Sequence, residues 1–181
     1  MKLNRLLTVM LLGLLLPFLS CTEKKVTGVI QAVSKEDTSE KFDPFVEGNK
    51  NIIRKEEEEI DLFINRYQWE MTNTGSGLRI QVLKQGSGEL FREGDTVSLS
   101  YQMFLLDGTM LYSSKTDGLK KFVVAKSQEM IGLHEAVQQL KRGAEARLVL
   151  PSHLAYGVAG DGKKVKGRKS IAMVIQISKS I

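Results

Sequence analysis

The residue best suited to a chemical role is Tyr156, which lies in a turn shortly after a strand-like segment that ends at Pro151. Because Gly157 follows it directly, the backbone can turn sharply there and leave the phenol accessible. A tyrosine hydroxyl can donate and accept hydrogen bonds. The segment therefore predicts a hydroxyl offered to a ligand, provided that neighbouring elements build an apolar cavity around it.

Composition argues against several other kinds of chemistry. The 181 residues include a single cysteine, Cys21, and two histidines, His134 and His153, which belong to no cluster of metal ligands. We therefore expect neither a metal nor a cofactor. The net charge is +5, and two of the positive charges, Lys2 and Arg5, lie in the N-terminal segment described next. The remaining charge is too small to predict nucleic-acid binding, and no basic stripe is interleaved with aromatic residues.

Residues 1–20 have the pattern of a lipoprotein signal peptide. Two positive charges precede an apolar run at residues 6–16, which is too short to span a bilayer. Cys21 then stands where a bacterial lipoprotein carries its acylated residue, although the leucine usual at such sites is one place late. A leader cleaved elsewhere, leaving a free thiol, is the alternative. We expect an exported chain that is lipid-anchored at Cys21 to the cell envelope, at the outer membrane facing the periplasm.

The segment between the leader and residue 75 divides into two parts. Residues 21–50 are polar and lack periodicity, which predicts a flexible tether. Residues 51–74 form an N-terminal helical segment, with a helix at residues 51–69 that carries an apolar stripe. The acidic run at residues 56–59 is best interpreted as a solvated helix face. The apolar stripe either packs against the following domain or pairs with a second copy, which leaves open a homodimer through this helix.

From residue 75 onward the pattern is mostly β. Apolar and polar residues alternate as in half-buried strands. The predicted strands lie at residues 78–83, 96–105, 122–124, 144–150 and 171–177. Asp107-Gly108 predicts a hairpin turn, and residues 132–140 have the stripe of a short amphipathic helix. The fold class predicted is α+β, an antiparallel sheet of about five strands packed on one short α-helix and preceded by an N-terminal helix.

Motifs within this region, taken in order, resemble those of the FKBP-type peptidyl-prolyl cis-trans isomerases. They are Gly94-Asp95-Thr96-Val97 ahead of Tyr101, Leu106-Asp107-Gly108-Thr109, Ser113-Ser114, Gly132-Leu133-His134-Glu135-Ala136, Lys141-Arg142-Gly143 and residues 150–157. The resemblance covers residues 78–181 and implies an FKBP-like isomerase domain over residues 75–181. The leader and the helix are similar to those of the periplasmic lipoprotein branch, which includes isomerases associated with gliding motility.

The resemblance also implies roles for individual residues. Tyr156 would donate a hydrogen bond to a substrate carbonyl. The backbone N–H of Met130 would donate a second, or that of Ile131 if the register shifts by one. Tyr101 would form a catalytic wall of the pocket. The remaining apolar wall and floor positions would be Leu111, Leu133 and Met173. Periodicity alone would assign these apolar side chains to a core.

Several positions depart from the family pattern and leave two functions open. Tyr112 stands where an acidic residue is usual, Lys120 where an aromatic is expected, and Leu133 where tryptophan is common. The loop at residues 161–169 is basic, lacks the usual prolines and is interpreted as solvated and mobile. The first hypothesis is a membrane-anchored isomerase that acts on Xaa-Pro bonds of unfolded or exported polypeptides. The alternative is a catalytically weak or inactive polypeptide-binding module.

Overall fold

The computed structural model describes residues 44–179. The predicted signal peptide, Cys21 and most of the predicted tether lie outside the described residues. Helix α1 spans Pro44–Tyr67 and therefore begins within the predicted tether rather than at residue 51. Proline is favoured in the first turn of a helix, because the N–H that it lacks would have no intrahelical acceptor there. Gly48, which lies inside this helix, is exposed.

The strands that follow form one antiparallel sheet and a separate two-stranded ribbon. Their bounds are β1 Thr72–Asn73, β2 Arg79–Lys84, β3 Ser87–Leu90, β4 Thr96–Leu105, β5 Met110–Ser113, β6 Lys120–Val123, β7 Lys141–Arg142, β8 Glu145–Leu150 and β9 Ile171–Ile177. The main sheet has the order β1-β2-β8-β9-β4-β5, with β6 also paired to β4, while β3 pairs with β7. The remaining elements are α2 at Ser114–Asp117, α3 at Ile131–Gln138 and a 3-10 turn at Ser152–Leu154.

The predicted α+β class is confirmed, and each predicted strand has a counterpart in the main sheet. The strands that the sequence did not reveal are β1, β3, β5 and β7. Two of them, β1 and β7, have two residues each, too few to display an alternating pattern. All four residues of β3 are exposed, so that strand carries no apolar signal.

Helix α3 packs on one face of the sheet and closes the main core. Its buried residues include Leu133, Ala136 and Val137. A β-carbon at Gly132 would lie 2.7 Å from Leu150 Cδ2 and 3.0 Å from Leu154 Cβ. The helix therefore approaches β8 and the 3-10 turn at a distance that only glycine permits. This packing fixes α3 against the segment that leads to Tyr156.

Helix α1 packs on the opposite face of the same sheet. Ile60 and Phe63 form a second apolar cluster with Val149 of β8 and Ala172 of β9. The neighbours of these strand residues along the chain belong to the main core, because successive side chains of a strand point to opposite faces. Trp69 meets the Phe63 ring edge-on, with centroids 5.2 Å apart. Of the two packing alternatives for the apolar stripe, contact with its own domain is the one observed.

The acidic run of α1 is only partly solvated. Glu57 forms an ion pair with Arg79, a side chain that is almost completely buried. Glu56 accepts hydrogen bonds from Ser152 and Ser170. Glu56 lies one turn before Ile60 and so shares its face of the helix. The interpretation as a solvated face is therefore wrong for these two residues and holds for Glu58 and Glu59, which are exposed.

Two features are absent from the part of the chain that the structure describes. None of its helices is long and apolar enough to cross a membrane. None of its His, Cys, Asp and Glu side chains form a group of three or more that could hold a metal ion.

Candidate functional site

A cleft of about 340 Å³ brings together side chains from β4, β5, α2, β6 and the segment after the 3-10 turn. It is lined by Tyr101, Met103, Tyr112, Asp117, Lys120, Tyr156, Asp161 and Lys163. Two of the predicted site residues, Tyr101 and Tyr156, thus share one cavity although they are far apart in sequence. The backbone N–H of Tyr101 donates to Ser114 Oγ at 3.1 Å, which holds this part of β4 against α2.

The phenol of Tyr156 is placed as a hydrogen-bond donor. The side chain is half-buried and packs against the main core. Burial raises the pKa of Tyr156 well above its ordinary value, and the negative charges of Glu129 and Asp161 add to the effect. Gly157 has φ +62°, a left-handed conformation that glycine adopts without strain. The hydroxyl therefore keeps its proton throughout the neutral pH range and can donate it in a hydrogen bond.

The backbone at the start of α3 offers a second donor. The N–H of Met130 is already engaged, because it donates to Glu129 Oε1 at 3.0 Å. Ile131 is the first residue of α3, where N–H groups have no intrahelical acceptor. Its side chain is 64% exposed, so the residue is accessible from solvent. Neither Met130 nor Ile131 is among the residues that line the cleft, so the binding of a ligand there by the N–H of Ile131 stays a prediction.

The predicted apolar wall and floor residues lie in the core next to the cleft. Leu111, Met130, Leu133 and Met173 are each at most 5% exposed and belong to the same apolar cluster as Tyr101. Their burial is equally expected of core residues and of the floor of a pocket. Their contact with a substrate therefore stays a prediction.

An ion pair occupies the wall where an aromatic residue was expected. Lys120 Nζ lies 2.7 Å from Glu129 Oε2, and the two side chains are only 19% and 12% exposed. The same ammonium group lies 5.2 Å from the centre of the Tyr101 ring, within the range of a cation–π contact. Burial raises the pKa of Tyr101, and the charges of Asp117 and Glu129 contribute further. This wall of the cleft is therefore polar but largely closed to water.

A hydrogen bond joins the carboxylate of Asp161 to Tyr112, the residue that stands where an acidic residue is usual. The Tyr112 hydroxyl donates to Asp161 Oδ2 at 2.5 Å. Asp161 Oδ1 accepts from the N–H groups of Lys163 and Val165, each at 2.8 Å. Desolvation alone would raise the pKa of Asp161, but the hydrogen bond from Tyr112 and those from the backbone outweigh it and lower the pKa. The bond to Asp161 is the main cause that raises the pKa of Tyr112. Near neutral pH the pair is therefore a protonated phenol bound to a carboxylate.

The basic loop that contains Asp161 is held against the domain at several points. Lys164 Nζ donates to the carbonyl oxygen of Leu111 at 2.7 Å and lies 4.6 Å from the centre of the Tyr112 ring. Val165 is only 3% exposed. The interpretation of this loop as solvated is wrong for Val165, and hydrogen bonds to Asp161 hold the turn from within. The basic residues of the loop, Lys164 included, are exposed as predicted: Lys163, Lys164, Lys166, Arg168 and Lys169.

Comparison with known proteins identifies the family to which this domain belongs. The family model for FKBP-type peptidyl-prolyl cis-trans isomerases matches residues 88–178, which is about half of the chain. The chain belongs to this family. The matched range contains every residue that lines the cleft. The polar substitutions described above are therefore variations within an FKBP-type domain.

Individual relatives match over part of their length. The probable FKBP-type peptidyl-prolyl cis-trans isomerase FkpA of Neisseria meningitidis is 35% identical over 125 residues, which are 69% of this chain and 46% of that protein. The outer membrane protein MIP of Legionella longbeachae is 29% identical over 102 residues, 56% of this chain and 43% of that protein. The chain thus spans about half the length of these curated relatives. The crystal structure of FkpA from Escherichia coli aligns with a TM-score of 0.61 at 24% identity, covering 74% of this chain and 62% of that one.

Six residues that line the cleft of this FKBP-type domain were not predicted as site residues. Two of them, Tyr112 and Lys120, were noted only as departures from the family pattern. Met103 carried a usable signal, because it lies two residues after Tyr101 on the same strand and so on the same face. Asp117, Asp161 and Lys163 carried none that a single sequence provides. The partner of Asp161 is 49 residues away in sequence, and only the fold brings the two together.

Proposed function

We propose that this chain is a peptidyl-prolyl cis-trans isomerase that acts on Xaa-Pro bonds of exported polypeptides, as a membrane-anchored folding helper. The observation that carries the proposal is the half-buried phenol of Tyr156, held protonated at a cleft walled by Tyr101 in an FKBP-type domain. Family membership supports the reaction class. The polypeptide substrates and the anchored location are proposals for the whole protein.

The chemistry required of the cleft is modest. Rotation about a peptide bond meets a barrier of about 18–20 kcal/mol, which comes from amide resonance. A site that binds the twisted amide more tightly than the planar one lowers this barrier without a nucleophile or a proton transfer. Tyr156 would hold one substrate carbonyl by its hydroxyl, and the N–H of Ile131 would hold another. The buried core beneath the cleft, including Leu133 and Met173, would accommodate the proline ring away from water.

A polypeptide-binding module with little or no catalysis is the second candidate. The observation that favours it is the charge of the cleft, since Asp117, Lys120, Asp161 and Lys163 are half of its lining residues. A polar lining grips a proline ring less well than aromatic walls do. It would still hold an extended polypeptide through hydrogen bonds and ion pairs.

The deciding experiment is a proline-isomerisation assay on the full chain and on Tyr156→Phe. We expect kcat/KM to fall about tenfold in the variant, because one hydrogen bond of about 1–1.5 kcal/mol is lost from the transition state. Tyr67→Phe is the matched control, since it removes a hydroxyl from α1, outside the lining of the cleft. A wild-type rate equal to the uncatalysed one on several Xaa-Pro peptides, with peptide binding retained, would establish the binding module instead.

The lipid anchor at Cys21 can be tested directly. We expect the full chain, expressed with its leader in a bacterial host, to incorporate labelled palmitate and to fractionate with membranes. Cys21→Ser should abolish both, because the acylated thiol is lost. The relative named as an outer membrane protein supports an envelope location. Labelling that persists in Cys21→Ser would contradict the proposal.

A homodimer through the first half of α1 is a further proposal. Val46, Ile52 and Ile53 are 49%, 43% and 60% exposed. Val46 and Ile53 are seven residues apart and share one stripe of the helix, and Ile52 lies beside that stripe. We expect light scattering to give a dimer mass for residues 44–181 at micromolar concentration. Ile52→Lys combined with Ile53→Lys should give a monomer, while Glu58→Lys on the same helix should not. A monomer mass for the unsubstituted chain at all concentrations tested would rule the dimer out.

A further inference from the structure

Both ends of the segment that carries Tyr156 and Asp161 converge on one carboxylate of helix α1. Glu56 Oε1 accepts a hydrogen bond from the backbone N–H of Ser152 at 2.7 Å. The same oxygen accepts from Ser170 Oγ at 2.6 Å. Ser152 begins the 3-10 turn just ahead of Tyr156, and Ser170 lies between the basic loop and β9. These donors lie 96 and 114 residues after Glu56 in the sequence.

Backbone hydrogen bonds connect the two ends to each other through the residue that follows Tyr156. The N–H of Gly157 donates to the carbonyl oxygen of Ser152 at 2.8 Å. The N–H of Arg168 donates to the carbonyl oxygen of Gly157, also at 2.8 Å. Ser170 follows two residues later and returns to Glu56. The contacts therefore close a ring that runs from Glu56 through Ser152, Gly157, Arg168 and Ser170. Four members of the ring belong to residues 152–170, the segment that carries Tyr156. The fifth member, Glu56, belongs to helix α1.

Glu56 is held in place by the packing of α1. Ile60 lies one turn later on the same helix face and is fully buried against the sheet. Ser170 is 6% exposed, so its hydrogen bond to the carboxylate is shielded from water. Hydrogen bonds to an ionised acceptor are stronger than those between neutral groups, and shielding strengthens them further.

We propose that Glu56 is a positioning residue for the isomerase site: by closing this ring, its carboxylate fixes the backbone that presents the Tyr156 hydroxyl to the cleft. The proposal rests on the proposed isomerase function for its catalytic consequence. Its structural part, the fixing of the loop, stands independently of catalysis. Helix α1 then belongs to the working unit, although none of its residues lines the cleft.

The neighbouring Glu57 provides a matched control. It also joins α1 to the domain, but its partner is Arg79 at the start of β2, and it makes no contact with the ring. Glu57→Ala and Glu56→Ala remove the same charge from the same helix. A purely structural role for the acidic run predicts similar consequences for both substitutions, whereas positioning of the loop predicts different ones.

The test measures amide hydrogen exchange and proline isomerisation on residues 44–181 and its variants. In Glu56→Ala we expect the amides of Gly157 and Arg168 to exchange roughly ten- to hundredfold faster, and kcat/KM to fall about tenfold. Glu57→Ala should leave the exchange of these two amides unchanged. Glu56→Gln retains an acceptor oxygen and should restore most of both properties. Ser170→Ala, which leaves α1 intact, should reproduce part of the effect, and its combination with Glu56→Ala should be less than additive.

The outcomes separate this proposal from the proposed function. Faster exchange in Glu56→Ala alone supports the positioning role even if the unsubstituted chain does not catalyse isomerisation. Equal exchange in the unsubstituted chain and Glu56→Ala would overturn it, whatever the activity. Equal acceleration in Glu56→Ala and Glu57→Ala would also overturn it, because general loosening of α1 would then explain the change. Normal kcat/KM in Glu56→Ala with accelerated exchange would refute the catalytic consequence.

Discussion

Replacing Phe63 by alanine is expected to lower the free energy of unfolding by about 3–5 kcal/mol. The ring is 5% exposed, lies against Val149 and Ala172 on the outer face of the sheet, and meets both Tyr67 and Trp69. Removal of the ring leaves a cavity that these rigid strand residues cannot fill. Denaturant unfolding of residues 44–181, followed by tryptophan fluorescence, measures the change. The fluorescence reports directly on the surroundings of Phe63, because its ring contacts Trp69, the single tryptophan of the sequence.

Leu62→Ala is the control for this result. Leu62 is adjacent on the same helix but 66% exposed, so its truncation should change stability by about 0.5 kcal/mol or less. A small effect for both substitutions would mean that α1 contributes little to the stability of the domain. In that case the hydrogen bonds of Glu56 and Glu57 could not be maintained by the packing of the helix either. A large effect confined to Phe63 would establish α1 as an integral layer of the fold.

The Gly167→Ala substitution is expected to lower kcat/KM by roughly ten- to hundredfold. A β-carbon at this position would lie 1.9 Å from the carbonyl oxygen of Val158, a backbone atom that cannot rotate away. The backbone segments around Val158 and Gly167 must then move apart, at a cost of about 1–3 kcal/mol or more, as in other overpacked sites. Separation moves Asp161 away from Tyr112 and loosens the backbone that follows Tyr156. At about 1.4 kcal/mol for each factor of ten, the expected loss of activity follows.

Gly162→Ala provides the matched control within the same loop. Gly162 has φ +70°, but no atom lies within 4 Å of the position its β-carbon would take. The substitution therefore adds strain of about 1 kcal/mol without a collision. We expect kcat/KM to stay within about twofold of the unsubstituted chain. Equal losses for the two substitutions would show that glycine flexibility, rather than close contact between the two sides of the loop, is what the site requires.

The parts of the fold that sequence predicted are those that local patterns specify. The long strand β4 alternates apolar and polar residues over ten positions, and α3 has a clear apolar stripe, so both were located correctly. Tyr156 was recognisable from its turn, and Tyr101 from its motif. Helix α1 was found, but its start was misplaced, because Pro44 and Gly48 favour turns when they are considered without their neighbours.

The contacts that sequence could not predict are those between distant residues. The bonds of Glu56 join positions 96 and 114 residues apart, and nothing in four consecutive glutamates distinguishes the first two from the last two. The docking of α1 decides this, since it turns Glu56 and Glu57 toward the sheet. In the same way, only the fold brings the carboxylate of Asp161 to the hydroxyl of Tyr112, from a different part of the chain. The sequence showed that Tyr112 stands where an acidic residue is usual. It did not show that Tyr112 is hydrogen-bonded to Asp161.

The uneven burial of α1 has a mechanical consequence. Apart from the partly buried Asn51, residues 44–55 are exposed, whereas Glu56 is hydrogen-bonded to Ser152 and Ser170. At 1.5 Å per residue, the exposed part forms a rigid arm about 18 Å long. The direction of this exposed half is therefore set by the packed half of the same helix. A force or steric restraint applied at Pro44 would therefore act through the helix on Glu56, which holds Ser152 and Ser170 close to Tyr156.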